Sequence, residues 1–115
     1  MALVATVLPS LVYQPQHSID LHTVSPGFCD KTTDADRRSS CTVDKRGTFK
    51  VRPADTASWP AMARSCMKQC DACAHCRYIS FSREWSDCSW FRACNLIKLG
   101  QQLPGFATLP AGVNV

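Results

Sequence analysis

The sequence predicts an α+β fold, a small disulfide-rich domain with one helix (about residues 58–76) packed on a short antiparallel sheet. Three observations carry this. Eight cysteines in 115 residues are an even count in a short chain, which favours a disulfide framework. Residues 59–76 place cysteines and apolar side chains on one stripe at helical spacing. After Cys76 the apolar period changes to two, the mark of a half-buried strand.

The totals bound the answer first. A chain of 115 residues argues for one domain. Eight thiols would stay reduced in the cytosol, so an oxidising compartment is expected: secreted, cell-surface or the lumen of an organelle. The net charge of +4 is mild and mixed in sign. It is not the dense basic stripe of a nucleic-acid binder. No apolar run approaches the ~20 residues of a membrane span.

The elements follow in chain order. Residues 1–28 form an N-terminal arm or a signal-like segment. Met1 to Val12, MALVATVLPSLV, is apolar like a signal-peptide core, but it lacks a basic start and Pro9 interrupts it. A short strand is expected around Ile19 to Val24. Residues 29–109 are the expected domain. Its first part, residues 29–46, is polar and rich in Asp, Ser, Thr and Arg, a surface loop bracketed by Cys29 and Cys41. GTFKV, residues 47–51, alternates as a strand that Pro53 ends.

Ser58 or Thr56 can then cap a helix with Pro60 in its first turn. On a 100° wheel Trp59, Met62, Cys66, Cys70 and Cys73 share the buried stripe, with Arg64, Lys68, Asp71 and His75 opposite. RYISFS alternates as a strand, REWSD (83–87) suits a hairpin loop, and CSWF (88–91) returns. Cys94 follows in a loop. GFATL reads as a final edge strand, and residues 110–115 as a loose tail.

The four cysteines within residues 66–76 raise the question of a metal. A structural zinc site uses two separated C-x-x-C knuckles, whereas here Cys70–Cys73 and Cys73–Cys76 share a member. Cys66 and Cys73 would be about 10.5 Å apart along a helix, too far for one tetrahedral ion. Disulfides fit better, because a helix-facing cysteine meets a strand across the core. Cys66 and Cys70 each need a partner there or beyond the helix end, and Cys88 and Cys76 are within reach. No cofactor is implied. His75 and Cys76 are sequence neighbours and diverge by 100° on a helix, so no Cys–His nucleophile is expected. A redox C-x-x-C would open a helix rather than end one. The chain is therefore read as not an enzyme, and His17, His22 and His75 as exposed or loop histidines with no special role.

Cys66-x3-Cys70 on a helix, then Cys76-Arg77-Tyr78-Ile79-Ser80-Phe81, then Cys88-Ser89-Trp90-Phe91 on a return strand, resembles the PAN/apple module over roughly residues 47–109. The cluster also looks like a cysteine-rich repeat common in predicted proteins of unicellular algae. The resemblance implies a helix on a small antiparallel sheet, with Cys70 paired to Cys76 and Cys66 to Cys88. Cys73 and Cys94 depart from the family pattern. They are expected to pair with each other, leaving Cys29 with Cys41.

The resemblance further implies adhesion or recognition: a non-catalytic module binding a protein or carbohydrate. Trp85, Arg83 and Arg92, at or near the hairpin, are the expected ligand surface. Trp90 and Phe91 are core candidates, because they lie in an alternating strand. Two other readings remain. The apolar arm and tail suit a structural accessory subunit of a larger assembly, for example on the luminal side of a membrane complex. The cysteines suit a zinc or redox protein.

Overall fold

The computed structural model describes residues 24–115, so residues 1–23 of the expected N-terminal arm and most of the strand expected near Ile19 to Val24 lie outside it, as do His17 and His22. Among the described residues five antiparallel strands form one sheet: β1 (Ser25–Pro26), β2 (Arg46–Thr48), β3 (Tyr78–Ser82), β4 (Asp87–Phe91) and β5 (Ala107–Pro110). Their order is β1-β5-β3-β4-β2. One helix, α1 (Trp59–Asp71), crosses the sheet. The fold is the expected α+β, disulfide-rich arrangement.

Helix α1 begins where the chemistry allows. The Ser58 hydroxyl accepts the Ala61 N–H at 3.1 Å, and Pro60 occupies the first turn, where no N–H is needed. The turn Pro53–Ala57 leads in, its buried Asp55 accepting the Arg52 N–H at 2.9 Å. Met62, Ala63, Cys66, Met67 and Cys70 are buried along one side. They meet Ile79, Phe81, Cys88, Trp90, Ala107 and Leu109, the inward-facing alternates of β3, β4 and β5.

The helix stops at Asp71, short of the expected Cys76. The Cys70–Cys76 bridge explains why. Six residues of α-helix rise about 9 Å, beyond the span a disulfide can close. Their Cα atoms are instead 5.3 Å apart. Two tight turns make this possible: Cys73 N–H donates to Cys70 O at 2.9 Å, and Cys76 N–H to Cys73 O at 3.0 Å. An unbroken helix to residue 76 and this bridge are mutually exclusive.

All eight cysteines are bridged. Cys66–Cys88 ties α1 to β4 with Cα atoms 5.8 Å apart. The other two pairs correct the sequence expectation: Cys29 joins Cys94 and Cys41 joins Cys73, rather than Cys29–Cys41 and Cys73–Cys94. The ends of the 29–41 segment go to different places. Cys29 N–H donates to Ser80 Oγ on the outer face of the sheet, and Cys94 follows the end of β4 in the chain. Cys41 lies at the end of α1, where its carbonyl accepts the His75 N–H at 2.8 Å. His75 is half-buried there, its Nδ1 2.9 Å from the Asp44 carbonyl, so it holds the loop rather than standing free.

Three further differences concern the strands and the tail. β2 starts at Arg46 and ends at Thr48, though Phe49 continues the ladder by donating to Cys88 O at 2.7 Å. β5 is interior, not an edge: β1 and β3 flank it, and Ala107, Thr108 and Leu109 are buried. The end of the chain is not loose. Ala111 N–H donates to Arg77 O at 2.8 Å, and Val113 and Val115 pack on the core.

Gly47 shows how tightly the sheet is filled. It lies opposite Trp90 in the β2–β4 register. A Cβ there would strike the indole Nε1 and come within 2.7 Å of its Cε2. Gly47→Ala should therefore cost about 1–3 kcal/mol through overpacking of a rigid ring, read as a lower midpoint in denaturant melts. The Cys66–Cys88 bridge closes 22 residues. Its removal in a Cys66→Ala/Cys88→Ala variant should cost about 3 kcal/mol in the chain-entropy model. Reductant should likewise lower the melting temperature of the native chain, and a reductant-insensitive melt would contradict the stabilising role of the bridges.

Candidate functional site

The period-two pattern of β3 and β4 puts two different chemistries on the two faces of the sheet. Ile79, Phe81, Cys88 and Trp90 face α1. The other phase carries Ser80, Ser82, Ser89 and, from β5, Thr108, all at or below 1% exposed. Buried hydroxyls need partners. The segment Gly27–Thr32 folds over them and supplies partners to Ser80, Ser89 and Thr108, while Ser82 Oγ accepts the Trp85 N–H.

The hydrogen bonds run in a determinable direction. Thr108 Oγ1 donates to Gly27 O at 2.8 Å, so it accepts from Ser80 Oγ, also at 2.8 Å. Ser80 Oγ in turn accepts the Cys29 N–H at 2.9 Å. A second chain ends on a carboxylate: Thr32 Oγ1 donates to Ser89 Oγ at 2.8 Å, and Ser89 Oγ donates to Asp87 Oδ2 at 2.9 Å. The Cys29–Cys94 bridge holds the cover in place.

Beside the cover lies a cleft of about 390 Å³. Ser80, Ser89 and Asp87 form its floor, Asp30, Lys31, Thr32 and Asp34 one wall, and Phe28, Leu103, Phe106 and Trp85 the other. Phe28 and Phe106 meet edge to face with centroids 5.3 Å apart. Trp85 is 50% exposed, yet oriented. Its Nε1–H donates to Pro104 O at 3.1 Å and its N–H to Ser82 Oγ at 3.1 Å. Burial raises the Asp87 carboxyl above the ordinary Asp value, against the opposing pull of the Ser89 hydroxyl and Arg37.

This combination can bind a polar ligand with an apolar face: aromatic edges for contact, and the Asp30, Asp34 and Asp87 carboxylates for orientation, with the buried serine hydroxyls beneath fixing Asp87. A second cleft of about 590 Å³, around Val24, Trp59, Pro60 and Phe106, is larger but lacks such orienting groups.

Of the residues expected from the sequence, Trp85 lines the cleft and Arg83 and Arg92 do not. Arg83 is engaged structurally. Its Nε donates to Thr56 O and its Nη2 to Ala57 O, both at 2.9 Å, closing the turn that feeds α1. Arg92 lies beyond the far end of β4, in a separate cleft with Lys45 and Arg46. Trp90 and Phe91 are buried, at 1% and 3% exposure. The sequence reading missed Phe28, Thr32, Asp87 and Phe106. A usable signal existed: serines on the non-core phase of YISFS and DCSW imply something polar laid over them.

Among the described residues no group of three or more His, Cys, Asp or Glu side chains is arranged to hold a metal. Nor is any described helix long and apolar enough to cross a membrane. The four disulfides fit an oxidising compartment. In comparisons with known proteins, no family model, curated protein or solved structure matches this chain.

A half-buried carboxylate with a raised pKa is a cost to folding. The sign is determinate. The penalty is absent below about pH 4, where the group is protonated folded or unfolded, and it grows as pH rises through the folded value. Asp87→Asn should therefore melt at a higher temperature than wild type at pH 7, with the gain vanishing near pH 4. A lower melting temperature at pH 7 would instead make Asp87 a net structural anchor.

Proposed function

We propose that this chain is a non-catalytic, disulfide-stapled recognition module of the PAN/apple kind. It acts in an extracellular or luminal compartment and takes a carbohydrate at the Trp85 cleft. The cleft itself carries the reading: an oriented, half-exposed indole stands in one lining with the carboxylates of Asp30, Asp34 and Asp87. Sugars offer apolar C–H faces to aromatic rings and hydroxyls to carboxylates, which matches this lining better than a purely apolar peptide would. A protein ligand presenting a polar side chain is the neighbouring possibility within the same module class.

Supporting observations are consistent in kind. The helix-to-hairpin bridges implied by the PAN/apple likeness, Cys66–Cys88 and Cys70–Cys76, are both present. Four bridges in so short a chain suit a stable binder outside the reducing cytosol. The hydroxyls of Ser80 and Ser89 are buried and held in hydrogen-bond chains, an arrangement for rigidity rather than for nucleophilic attack.

A glycan array probed with the oxidised chain should return a defined set of sugars. Trp85→Ala should weaken binding to them tenfold or more, as truncation of an interface anchor does, while leaving the melting temperature nearly unchanged. Binding indifferent to Trp85→Ala would remove the cleft from the reading, and an empty array would turn it toward a protein ligand.

A further inference from the structure

The four exposed large hydrophobic residues among those described are Val43, Trp85, Leu96 and Ile97. Trp85 belongs to the cleft above. The other three lie on two loops that meet where β4 ends. The Arg92 N–H donates to the Lys45 carbonyl at 2.8 Å, which joins the loop bearing Val43 to the loop bearing Leu96 and Ile97. We propose that this end of the molecule docks on an anionic phospholipid membrane, with Leu96 and Ile97 entering the interfacial layer and Lys45, Arg92 and Lys98 meeting lipid phosphates.

The exposure of this tip is built in. Ile97 is 91% exposed and Leu96 38%. They sit on a turn that Asn95 closes twice: its side-chain oxygen accepts the Ile97 N–H, and its carbonyl the Lys98 N–H, both at 3.0 Å. On one side the turn is anchored by the Cys29–Cys94 bridge. On the other, Gly100 exchanges two main-chain hydrogen bonds with Phe28, at 2.8 and 3.1 Å. A rigid turn presenting two adjacent aliphatic side chains to water inserts without a large ordering cost.

Charge selects the surface. Beside the tip is a shallow cleft of about 830 Å³ whose polar lining is Lys45, Arg46, Arg92, Asn95 and one acid, Asp30. Arg46 is held by Asp30 at 2.8 Å and lies 3.9 Å from Asp36. Asp44, next to Lys45, is turned to the Ser40 N–H at 2.5 Å. Lys45, Arg92 and Lys98 form no ion pair among the described residues. Cations around an apolar tip complement a layer of anionic headgroups over hydrocarbon. Trp85 precedes β4 and Arg92 follows it, so about 17 Å of strand separates those two residues.

The test uses the oxidised full chain in flotation with two vesicle types: phosphatidylcholine alone, and phosphatidylcholine with one quarter phosphatidylserine. Binding is expected to the second only, and to weaken with added salt. A Leu96→Asp/Ile97→Asp variant should lose it. Arg92→Glu should weaken it about fivefold or more. Trp85→Ala should leave it unchanged, which separates this proposal from the sugar-binding one. Circular dichroism and a non-reducing mass establish that each variant is folded and bridged.

Three results would overturn the proposal. One is no flotation with anionic vesicles. Another is equal binding of wild type and the aspartate variant to vesicles and to soluble dextran sulfate, which would mean polyanion attraction alone. The third is a concentration-dependent dimer that the aspartate variant disperses, which would make the tip a contact between copies.

Discussion

The bridge from Cys66 to Cys88 is the constraint on which the rest of the molecule depends. It joins the middle of α1 to β4, at a spacing set by side-chain packing between helix and sheet. A small apolar core of Met62, Met67, Ile79, Phe81, Trp90 and Leu109 is closed around it. A domain of this size has little core to draw on. Fixing α1 over β3 and β4 in the unfolded chain as well as the folded one removes much of the entropy that would oppose that closure. The sheet register then follows, since Cys88 can face α1 only if Ser89 and Asp87 face away. One covalent link thus decides which side of β4 is core and which becomes the floor of the cleft.

The helix and the hairpin were legible because their signals are local. A stripe from Trp59 to Cys70 at helical spacing, a serine cap and a proline in the first turn all lie within a dozen residues. YISFS and CSWF alternate over their own length. Cys73 showed the limit of that reading. It falls on the same wheel position as Cys66 and Cys70 and is buried, yet it lies past the end of the helix. Periodicity reports which side chains face inward. It does not report where hydrogen bonding changes from one ladder to another.

What sequence could not supply was long-range. Cys29–Cys94 and Cys41–Cys73 join residues 65 and 32 positions apart, and assigning leftover cysteines to each other contains no geometry. β5 read as an edge because its partners, Ser25–Pro26 and Tyr78–Ser82, lie far along the chain. The cleft was hidden for the same reason. Trp85 was accessible to inspection as an aromatic in a turn. Its neighbours Phe28, Thr32 and Phe106 reach it only through the cover segment and the loop before β5. The small residues Ser80, Ser82, Ser89 and Thr108 did mark the outer face as something other than solvent-washed, since an exposed strand usually carries larger polar groups.

The four links differ in how deeply they sit, and this gives the molecule a graded resistance to reducing conditions. Cys66 and Cys88 are sealed in the interior, whereas Cys29 and Cys94 are only half-buried. Thiol exchange begins where an attacking thiolate can approach. The strap over the serine-rich face would therefore come undone first, while helix and sheet stay joined. The intermediate would keep its shape yet have its outer hydroxyls bared to solvent: a molecule still folded, with the layer beneath the strap uncovered.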